Sequence, residues 1–250
     1  MKIDLTDRVA VVTGGSRGIG RAICSLLAQA GAKVVINFNR SEEKAGEVKK
    51  EINGAGGHAA IFKADISNPE EVNALFDFVR DTYSQIDILV NNAGVIKDNL
   101  LLGMDVSEWD RVLDTNLRGA FLCTKAASEM MMTRHYGKIV NISSTGAIRG
   151  GRGQTNYASA KGGLISFTRA CAVELASKGV QVNSVLPGMI VTDMSKRVRK
   201  RAGEMILQRI PAGRFGEPVD IANLVVFLTS DQADYITGQA IPVDGGMSIA

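Results

Sequence analysis

Short runs of β-branched residues alternate along this chain with longer segments of helical periodicity, and that alternation restricts the fold more than any other feature. Val9-Ala10-Val11-Val12 is typical of a buried strand, and segment 18–30 has the pattern of a helix that stops at Gly31. Residues 33–38 predict a second strand, and Ser41 is the expected N-cap of the next helix. Strands alternating with helices of this length form βαβ units and a parallel sheet.

The alternation continues to the end of the chain and predicts one domain. Near-continuous apolar strands predict an α/β fold, a single Rossmann-type doubly wound parallel sheet of about seven strands with helices on both faces. The 250 residues carry no repeat or linker, so we expect one domain over 1–250. A long excursion at about 188–214 is where such folds place a substrate lid. Five further segments predict strands: 58–63, 86–91, 138–143, 180–186 and 239–243.

Composition excludes several functional classes. A net charge of +3 is too small and too dispersed to argue for nucleic acid. Cys24, Cys123 and Cys171 lie far apart in apolar contexts, which predicts small buried side chains and no metal site. No run is apolar enough for a signal peptide or a membrane span, so we expect a cytoplasmic protein with no membrane partner.

A glycine-rich loop follows the first predicted strand and opens the first predicted helix. Gly14, Gly18 and Gly20 give the spacing G-x-x-x-G-x-G, which differs from the common G-x-G-x-x-G fingerprint. Glycines here allow close approach of a pyrophosphate, and the helix N-terminus offers amide donors to it. The loop predicts a dinucleotide site; the alternative is a tight turn without a ligand.

The end of the second strand indicates which dinucleotide binds. An acidic residue there would hold the ribose 2′-hydroxyl of NAD, but Asn37-Phe38-Asn39-Arg40 contains no carboxylate. Arg17 and Arg40 are the cations available for a 2′-phosphate, which favours NADP(H). If Arg40 is a solvated loop residue, either cofactor would bind. Asp65, after the third strand, is suited to hold the adenine amino group.

Tyr157 and Lys161 are one helical turn apart. On a helix they share a face, and a lysine cation beside a phenol should lower the pKa of the tyrosine from its reference near 10. Tyr157 would then exchange protons near neutral pH. Taken alone, the pair is also what an ordinary half-exposed helix carries.

Taken together, the motifs resemble those of the short-chain dehydrogenase/reductase family over essentially the whole chain. The matching pieces are Thr13-Gly14-x-x-x-Gly18-x-Gly20, Asn91-Asn92-Ala93-Gly94, Asn116, Ser144, Tyr157-x-x-x-Lys161 and Pro187-Gly188.

The resemblance implies a catalytic tetrad. Tyr157 would protonate the substrate carbonyl as hydride arrives, and Ser144 would hydrogen-bond the same oxygen. Lys161 would hold the nicotinamide ribose and stabilise the tyrosinate, and Asn116 would hold a relay water. Ser143 competes for the serine role, but the spacing of thirteen between Ser144 and Tyr157 matches the family pattern.

The resemblance also implies a set of cofactor-binding positions along one edge of the sheet. They are Gly14, Ser16, Arg17, Gly18, Ile19, Gly20, Asn39, Arg40, Asp65, Ile66, Asn92, Ala93, Gly94, Tyr157, Lys161, Pro187, Gly188, Ile190 and Thr192.

Within the family, several segments are similar to the 3-oxoacyl-acyl-carrier-protein reductases, among them 92–100, 153–157, 210–214 and 235–239. This likeness implies NADPH-dependent reduction of a carrier-linked 3-oxoacyl thioester. The alternative keeps the mechanism and changes the substrate to a polyketide, quinone, steroid or sugar carbonyl. The basic segment Arg149-Gly150-Gly151-Arg152 beside the expected pocket keeps this alternative open.

Two basic features bear on the partner. The subgroup holds its acidic carrier with a basic pair beside the active-site mouth, which here corresponds to His135 and Lys178. The lid holds five cations in the six residues 196–201. They form either a solvated helix face or a surface that binds an acidic carrier protein or a pantetheine phosphate.

The family resemblance further implies a homotetramer built through helices at 109–132 and 156–178 and through the last strand. The apolar content of those helices agrees with this but equally suits core packing.

Overall fold

The predicted strands form one seven-stranded parallel sheet in the computed structural model, which describes residues 3–250. The strand order is β3-β2-β1-β4-β5-β6-β7 and reverses direction between β1 and β4, which is the topological switch point of a doubly wound sheet. The predicted fold class is confirmed. The strands are β1 (Val9–Val12), β2 (Lys33–Phe38), β3 (His58–Lys63), β4 (Ile88–Asn91), β5 (Gly137–Ile142), β6 (Val180–Pro187) and β7 (Ala240–Val243).

Helices connect successive strands. They are α1 (Gly18–Gln29), α2 (Glu42–Gly54), α3 (Pro69–Tyr83), α4 (Val106–Leu113), α5 (Gly119–Arg134), α6 (Gly146–Arg149), α7 (Thr155–Leu175), α8 (Lys196–Leu207) and α9 (Pro218–Leu228). A π-helical turn at Asp114–Arg118 joins α4 to α5, and short 3₁₀ turns lie at Leu101–Gly103, Ala176–Lys178 and Asp231–Ala233.

Two hydrophobic cores lie on the two faces of the sheet. Alternation along a strand assigns neighbours to opposite faces, so Ala10 and Val12 pack with α1, α2 and α9 while Val9 and Val11 pack with α3, α5 and α7. Burial on both faces explains why the strands are apolar without alternation. Cys24 and Cys123 are buried in these cores as predicted, whereas Cys171 is only partly buried.

The structure refines several predicted boundaries. β4 begins at Ile88 because its ladder with β1 starts with the pair Ala10 and Ile88, so buried Ile86 precedes the strand. Ser41 occupies the N-cap of α2, but its side chain makes no capping hydrogen bond. The predicted excursion after β6 contains α8, a helix without a buried residue.

Within residues 3–250, no helix is both long enough and apolar enough to cross a membrane.

Candidate active site

The predicted site residues converge at the carboxyl edge of the sheet, around the switch point. The glycine-rich loop follows β1, segment 91–94 ends β4, Ser144 follows β5, and Pro187 ends β6. Because β1, β4, β5 and β6 are neighbours, segments far apart in sequence meet in one crevice. Ligands of open α/β sheets bind in this kind of crevice.

The glycine-rich loop forms a cradle that only glycine permits. Gly14 and Gly18 have φ of 63° and 54°, in the left-handed region that favours glycine. A Cβ added at Gly20 would lie 2.3 Å from the carbonyl oxygen of Gly14. The Asn92 side-chain amide donates to the carbonyls of Thr13 and Gly14, at 2.9 and 3.1 Å. The loop therefore has no room for a side chain at Gly20, and Asn92 ties it to the end of β4.

Thr13 also organises this region, a role that sequence reasoning missed. Its buried Oγ1 accepts from the backbone N–H groups of Asn92 and Ala93, both at 3.0 Å, and lies 3.3 Å from the carbonyl of Val90, to which it donates. It therefore sets the distance between the glycine-rich loop and segment 91–94. In the sequence, this role was indicated only by the position of Thr13 directly before the first glycine of the loop.

Two arginines near the expected adenosine site lie on different segments, Arg17 at the N-cap of α1 and Arg40 just after β2. Arg17 and Arg40 are exposed, and neither makes an ion pair with any residue in the described part of the chain. The Asn39 amide donates to Asp65 at 2.7 Å, and Ser67 donates to the other oxygen of that carboxylate at 2.6 Å.

The environment of Asp65 keeps it ionised. Burial raises its pKa, but the hydrogen bonds from Ser67 and Asn39 and the charge of Arg40 outweigh burial and lower the pKa overall. Both carboxylate oxygens already accept hydrogen bonds, and each retains acceptor capacity for a further donor.

Ser144, Tyr157 and Lys161 form a compact cluster between β5 and α7. Tyr157 and Lys161 lie on one face of α7, as predicted, with the lysine Nζ 5.9 Å from the centre of the tyrosine ring. The Ser144 hydroxyl hydrogen-bonds Tyr157 and also accepts from the backbone N–H of Gly146 at 3.0 Å. A serine and a tyrosine hydroxyl therefore point to one location in the crevice.

The predicted direction of the Tyr157 pKa is wrong. Burial raises it, the Ser144 hydrogen bond lowers it, and the nearby Asp98 charge raises it, with a net increase. The reason lies in Lys161, which is 3% exposed and donates to the carbonyl of Ile142 at 2.7 Å, away from the phenol oxygen. Burial lowers the pKa of Lys161 from 10.5 to about 8. The tyrosine thus stays protonated at neutral pH.

Asn116 is held by the π-helical turn. Its Oδ1 accepts from the Val95 N–H at 2.9 Å, and its Nδ2 donates to the Val95 carbonyl at 2.8 Å. A Cβ added at Gly94 would lie 2.7 Å from this Oδ1 and 3.6 Å from the Lys161 Nζ. Asn116 and Lys161 therefore flank the same glycine, and a π-helical turn at such a place is common in functional sites.

Ser143 and Ser144 have different partners. The buried Ser143 hydroxyl donates to the Lys161 carbonyl at 2.8 Å, which fixes α7 to the end of β5. Ser144 is the member of the pair that faces Tyr157. Asn156, another residue that sequence reasoning missed, accepts from the Tyr157 N–H at 2.7 Å and donates to the Lys97 carbonyl at 2.9 Å.

The loop after β6 closes one side of the crevice. A Cβ added at Gly188 would lie 2.6 Å from the Cβ of Asp244, and one added at Gly18 would lie 3.3 Å from the methyl group of Thr192. The Ser195 hydroxyl contacts the carbonyl of Ile190 at 2.5 Å and anchors the start of α8. Thr192 therefore lies opposite the glycine-rich loop, and the expected nicotinamide-side role of Pro187, Gly188, Ile190 and Thr192 stays a prediction.

The basic features lie in different places: His135 and Lys178 are remote from the crevice of their own chain, whereas Arg149 lies in α6, shortly after Ser144. His135 and Lys178 are close together, because Gly137 donates to the carbonyl of Gly179, but they precede β5 and β6. Six residues of strand separate them from Ser144, about 20 Å within the same chain. Arg149 donates to the carbonyl of Met247, so the carboxyl-terminal segment already uses this cation.

Fold and site together define the class of this protein: an oxidoreductase that uses a nicotinamide dinucleotide. Residues 14–248 match the model of a family described as Enoyl-(Acyl carrier protein) reductase. A 3-oxoacyl-[acyl-carrier-protein] reductase of Synechocystis sp. is 48% identical over 97% of this chain and 98% of its own length. A 3-oxoacyl-[acyl-carrier-protein] reductase FabG of Staphylococcus aureus (strain Mu50) is 46% identical over 95% and 97%. The chain therefore belongs to the short-chain dehydrogenase/reductase family.

Solved structures agree in fold and differ in activity. A proposed gluconate dehydrogenase from Agrobacterium tumefaciens superposes with a TM-score of 0.97 at 36% identity, covering 100% of this chain and 99% of that one. Levodione reductase gives a TM-score of 0.94 at 36% identity, covering 98% and 99%. The fold is thus shared among oxidoreductases of several substrates, and the substrate must be argued from the site.

Proposed function

We propose that this protein reduces the 3-oxo group of an acyl thioester carried by an acyl carrier protein, with NADPH as the reductant. The observation that carries the proposal is the Ser144, Tyr157 and Lys161 cluster, in a chain 44–48% identical to several 3-oxoacyl-[acyl-carrier-protein] reductases. The glycine-rich loop, in which Gly14 and Gly18 have positive φ and which leads into the N-terminus of α1, suits a dinucleotide pyrophosphate.

The chain's own residues account for the proton half of the reaction. NADPH, when bound, supplies the hydride that reaches the carbonyl carbon. The protonated Tyr157 hydroxyl gives its proton to the carbonyl oxygen, and the Ser144 hydroxyl donates a hydrogen bond to the same oxygen. The ketone thereby gains one hydride and one proton and becomes a secondary alcohol.

Two further residues restore the proton. The Lys161 ammonium stabilises the tyrosinate left behind and holds the nicotinamide ribose hydroxyls. Asn116 holds a water next to Lys161, at the flank of Gly94, and that water returns a proton to the tyrosine. In this proposal the chain acts as one domain, with residues 188–214 as the lid.

The remaining positions bind the cofactor. Ser16, Arg17 and Ile19 contribute to the cradle, and Asp65 and Ile66 contact the adenine. Asn92, Ala93 and Gly94 lie along the dinucleotide, whereas Pro187, Gly188, Ile190 and Thr192 hold the nicotinamide side.

The cofactor preference rests on Arg17, Asn39 and Arg40. Two exposed arginines without ion pairs in the described chain, beside an amide where a carboxylate would select NAD, suit a 2′-phosphate. Replacing both Arg17 and Arg40 by alanine should raise the KM for NADPH by roughly 100-fold or more, because each lost charged hydrogen bond costs about 1.5–3 kcal/mol. The KM for NADH should change little.

A matched control for this measurement lies one turn further along α1. Arg21 is also exposed, but its guanidinium pairs with Glu51 at 2.6 Å. Arg21→Ala should leave both cofactor KM values unchanged. Equal losses for NADPH and NADH in the double variant would show that the arginines bind no 2′-phosphate.

A substrate panel tests the reaction itself. NADPH oxidation is followed with an acetoacetyl thioester, a crotonyl thioester, a cyclic diketone and a sugar ketone. We expect turnover of the acetoacetyl thioester to exceed the others. Because the chain is similar in structure to a proposed gluconate dehydrogenase and to levodione reductase, a sugar or cyclic ketone is the second candidate substrate. A preference for either ketone would replace the thioester as the proposed substrate.

The assembly stays a prediction. The outward side of α5 and α7 carries Phe121 and Phe167, with ring centres 6.3 Å apart in an edge-to-face arrangement, and Phe121 is half exposed. An apolar face of this kind supports the expected homotetramer through these helices.

A further inference from the structure

The amino-terminal half of α8 carries an exposed array of four cations, Lys196, Arg197, Lys200 and Arg201, here called the α8 array. Positions i, i+1, i+4 and i+5 lie within about 140° of arc, so the four charges project from one side of the helix over two turns. In the described part of the chain, none of the four makes an ion pair.

The array is unfavourable for the folded chain alone. Lys196 and Arg197 lie at the positive end of the helix dipole, and α8 has no acidic residue in its first turn; the helix is interrupted at Ala202, where φ is −141°. Four uncompensated cations at that end repel one another as well. A local cost of this kind, without a compensating contact in the chain, points to an external anion.

The array also lies beside the candidate site. The fifth cation, Arg199, is turned inward: its Nε donates to the Ser195 hydroxyl at 3.0 Å, and its Nη2 lies 3.4 Å from the Thr192 carbonyl. Thr192 in turn faces Gly18 of the glycine-rich loop. A partner held on the array is therefore adjacent to the loop at the nicotinamide side.

The shape of the α8 array indicates which kind of anion it binds. The four side chains spread over a convex helix face, which lacks the convergent donors that hold a small phosphate. No aromatic residue lies in α8, so stacking of single-stranded nucleic acid finds no platform. The apolar Val198, Ile206 and Leu207 are partly buried, and Met205 is the one large apolar residue of α8 that is exposed, which is too little apolar surface for insertion into a bilayer.

We propose that the α8 array docks an acidic face of the carrier protein and thereby brings the thioester to the crevice. The inference rests on the proposed thioester reduction and adds the surface on which the carrier binds. His135 and Lys178, at the opposite edge of the sheet, cannot do this for the site of their own chain. Charge complementarity here speeds and orients encounter, so its effect falls with ionic strength.

Two charge reversals test the proposal: Lys196→Glu with Lys200→Glu, and Arg197→Glu with Arg201→Glu. Lys49→Glu with Lys50→Glu on α2 is the control, because it changes the net charge by the same amount at another site. Thermal melting checks that each variant is folded. KM is measured for acetoacetyl-loaded carrier protein and for a short acetoacetyl thioester, at low salt and at about 1 M salt, where charges are screened within about 3 Å.

We expect each array variant to raise the KM for the loaded carrier by at least roughly tenfold at low salt. The KM for the short thioester should change by less than roughly twofold, and 1 M salt should bring the wild type close to the variants. The α2 control should match the wild type. Equal effects of the control, or a salt-independent KM for the carrier, would overturn the proposal.

A direct binding measurement distinguishes a failure of the docking proposal from a failure of the proposed reaction. The affinity of unloaded carrier protein, measured by fluorescence anisotropy, should fall in the array variants whether or not any thioester is turned over. Vesicles with anionic lipid and a short duplex DNA are measured alongside. If the variants lose either of these and keep the carrier, the docking proposal is wrong even where the thioester is reduced.

Discussion

Replacement of Tyr157 by phenylalanine is expected to lower kcat for carbonyl reduction by roughly 10²- to 10⁴-fold while NADPH still binds. The ring remains, so the packing of α7 is kept, and only the proton donor is lost. Burial and the Asp98 charge raise the pKa of this phenol, so the wild-type hydroxyl carries its proton throughout the neutral range. The donor is thus available for reduction without a prior proton uptake.

The same substitution at Tyr136 is the control. Its hydroxyl donates to Asp231 at 3.0 Å, near the amino end of β5 and far from the crevice. Tyr136→Phe should keep kcat within roughly twofold, because a surface hydrogen bond affects stability by about 1 kcal/mol and chemistry not at all. Stopped-flow measurement of hydride transfer separates chemistry from product release. Near-normal transfer in Tyr157→Phe would remove the tyrosine from the mechanism.

Lys161→Met should abolish most activity and stabilise the unliganded protein. The loss of kcat/KM should be roughly 10²-fold or more, as for other preorganised charges in active sites. Folding lowers the pKa of Lys161 from 10.5 to about 8, so burying the charge costs about 3 kcal/mol at neutral pH, at about 1.4 kcal/mol for each pKa unit. Methionine avoids this cost, although its lost hydrogen bond to Ile142 offsets part of the gain.

The pH dependence has a definite sign. The pKa of Lys161 is lower in the folded protein than in the unfolded chain. The free-energy cost of burying its charge therefore has its full value below pH 8 and disappears as the pH rises through 10.5. The stability advantage of Lys161→Met should therefore be largest at neutral pH and shrink above pH 8. Thermal melting of both proteins across this range measures it.

A second buried lysine supplies the contrast. Lys138 is 1% exposed, but its Nζ pairs with the Asp234 carboxylate at the amino end of β5. Lys138→Met should lower the melting temperature, because it removes a paired charge, and should leave kcat/KM unchanged. If both methionine variants lose stability to the same extent, the unpaired burial of Lys161 is not the cost inferred here.

Local patterns predicted the elements that depend on neighbouring residues. The strands followed from apolar runs, and the shared face of Tyr157 and Lys161 followed from a spacing of four. Contacts between segments that are distant in sequence were harder to predict. The choice of Ser144 over Ser143 rested on a family spacing, whereas the structure provides the physical reason, which is that Ser143 bonds the Lys161 backbone.

Electrostatic predictions failed where they required three-dimensional direction. The lowered pKa expected for Tyr157 assumed that the lysine faces the phenol, but Lys161 donates to Ile142 and both groups are desolvated. His135 and Lys178 resembled a basic pair at the mouth, yet they lie at the other edge of the sheet because each precedes its strand. The roles of Thr13 and Asn156 were missed because they consist of side-chain contacts to the backbone of remote segments.

The most direct test of the central claim follows the transferred hydrogen. Wild-type protein is given an acetoacetyl thioester and NADPH deuterated at the reactive carbon, and the product is analysed by mass spectrometry. We expect a 3-hydroxybutyryl thioester with one deuterium on C3, and none from the Tyr157→Phe variant in the same time. An unlabelled product, or labelled butyryl from a crotonyl thioester with no reaction of the ketone, would contradict it.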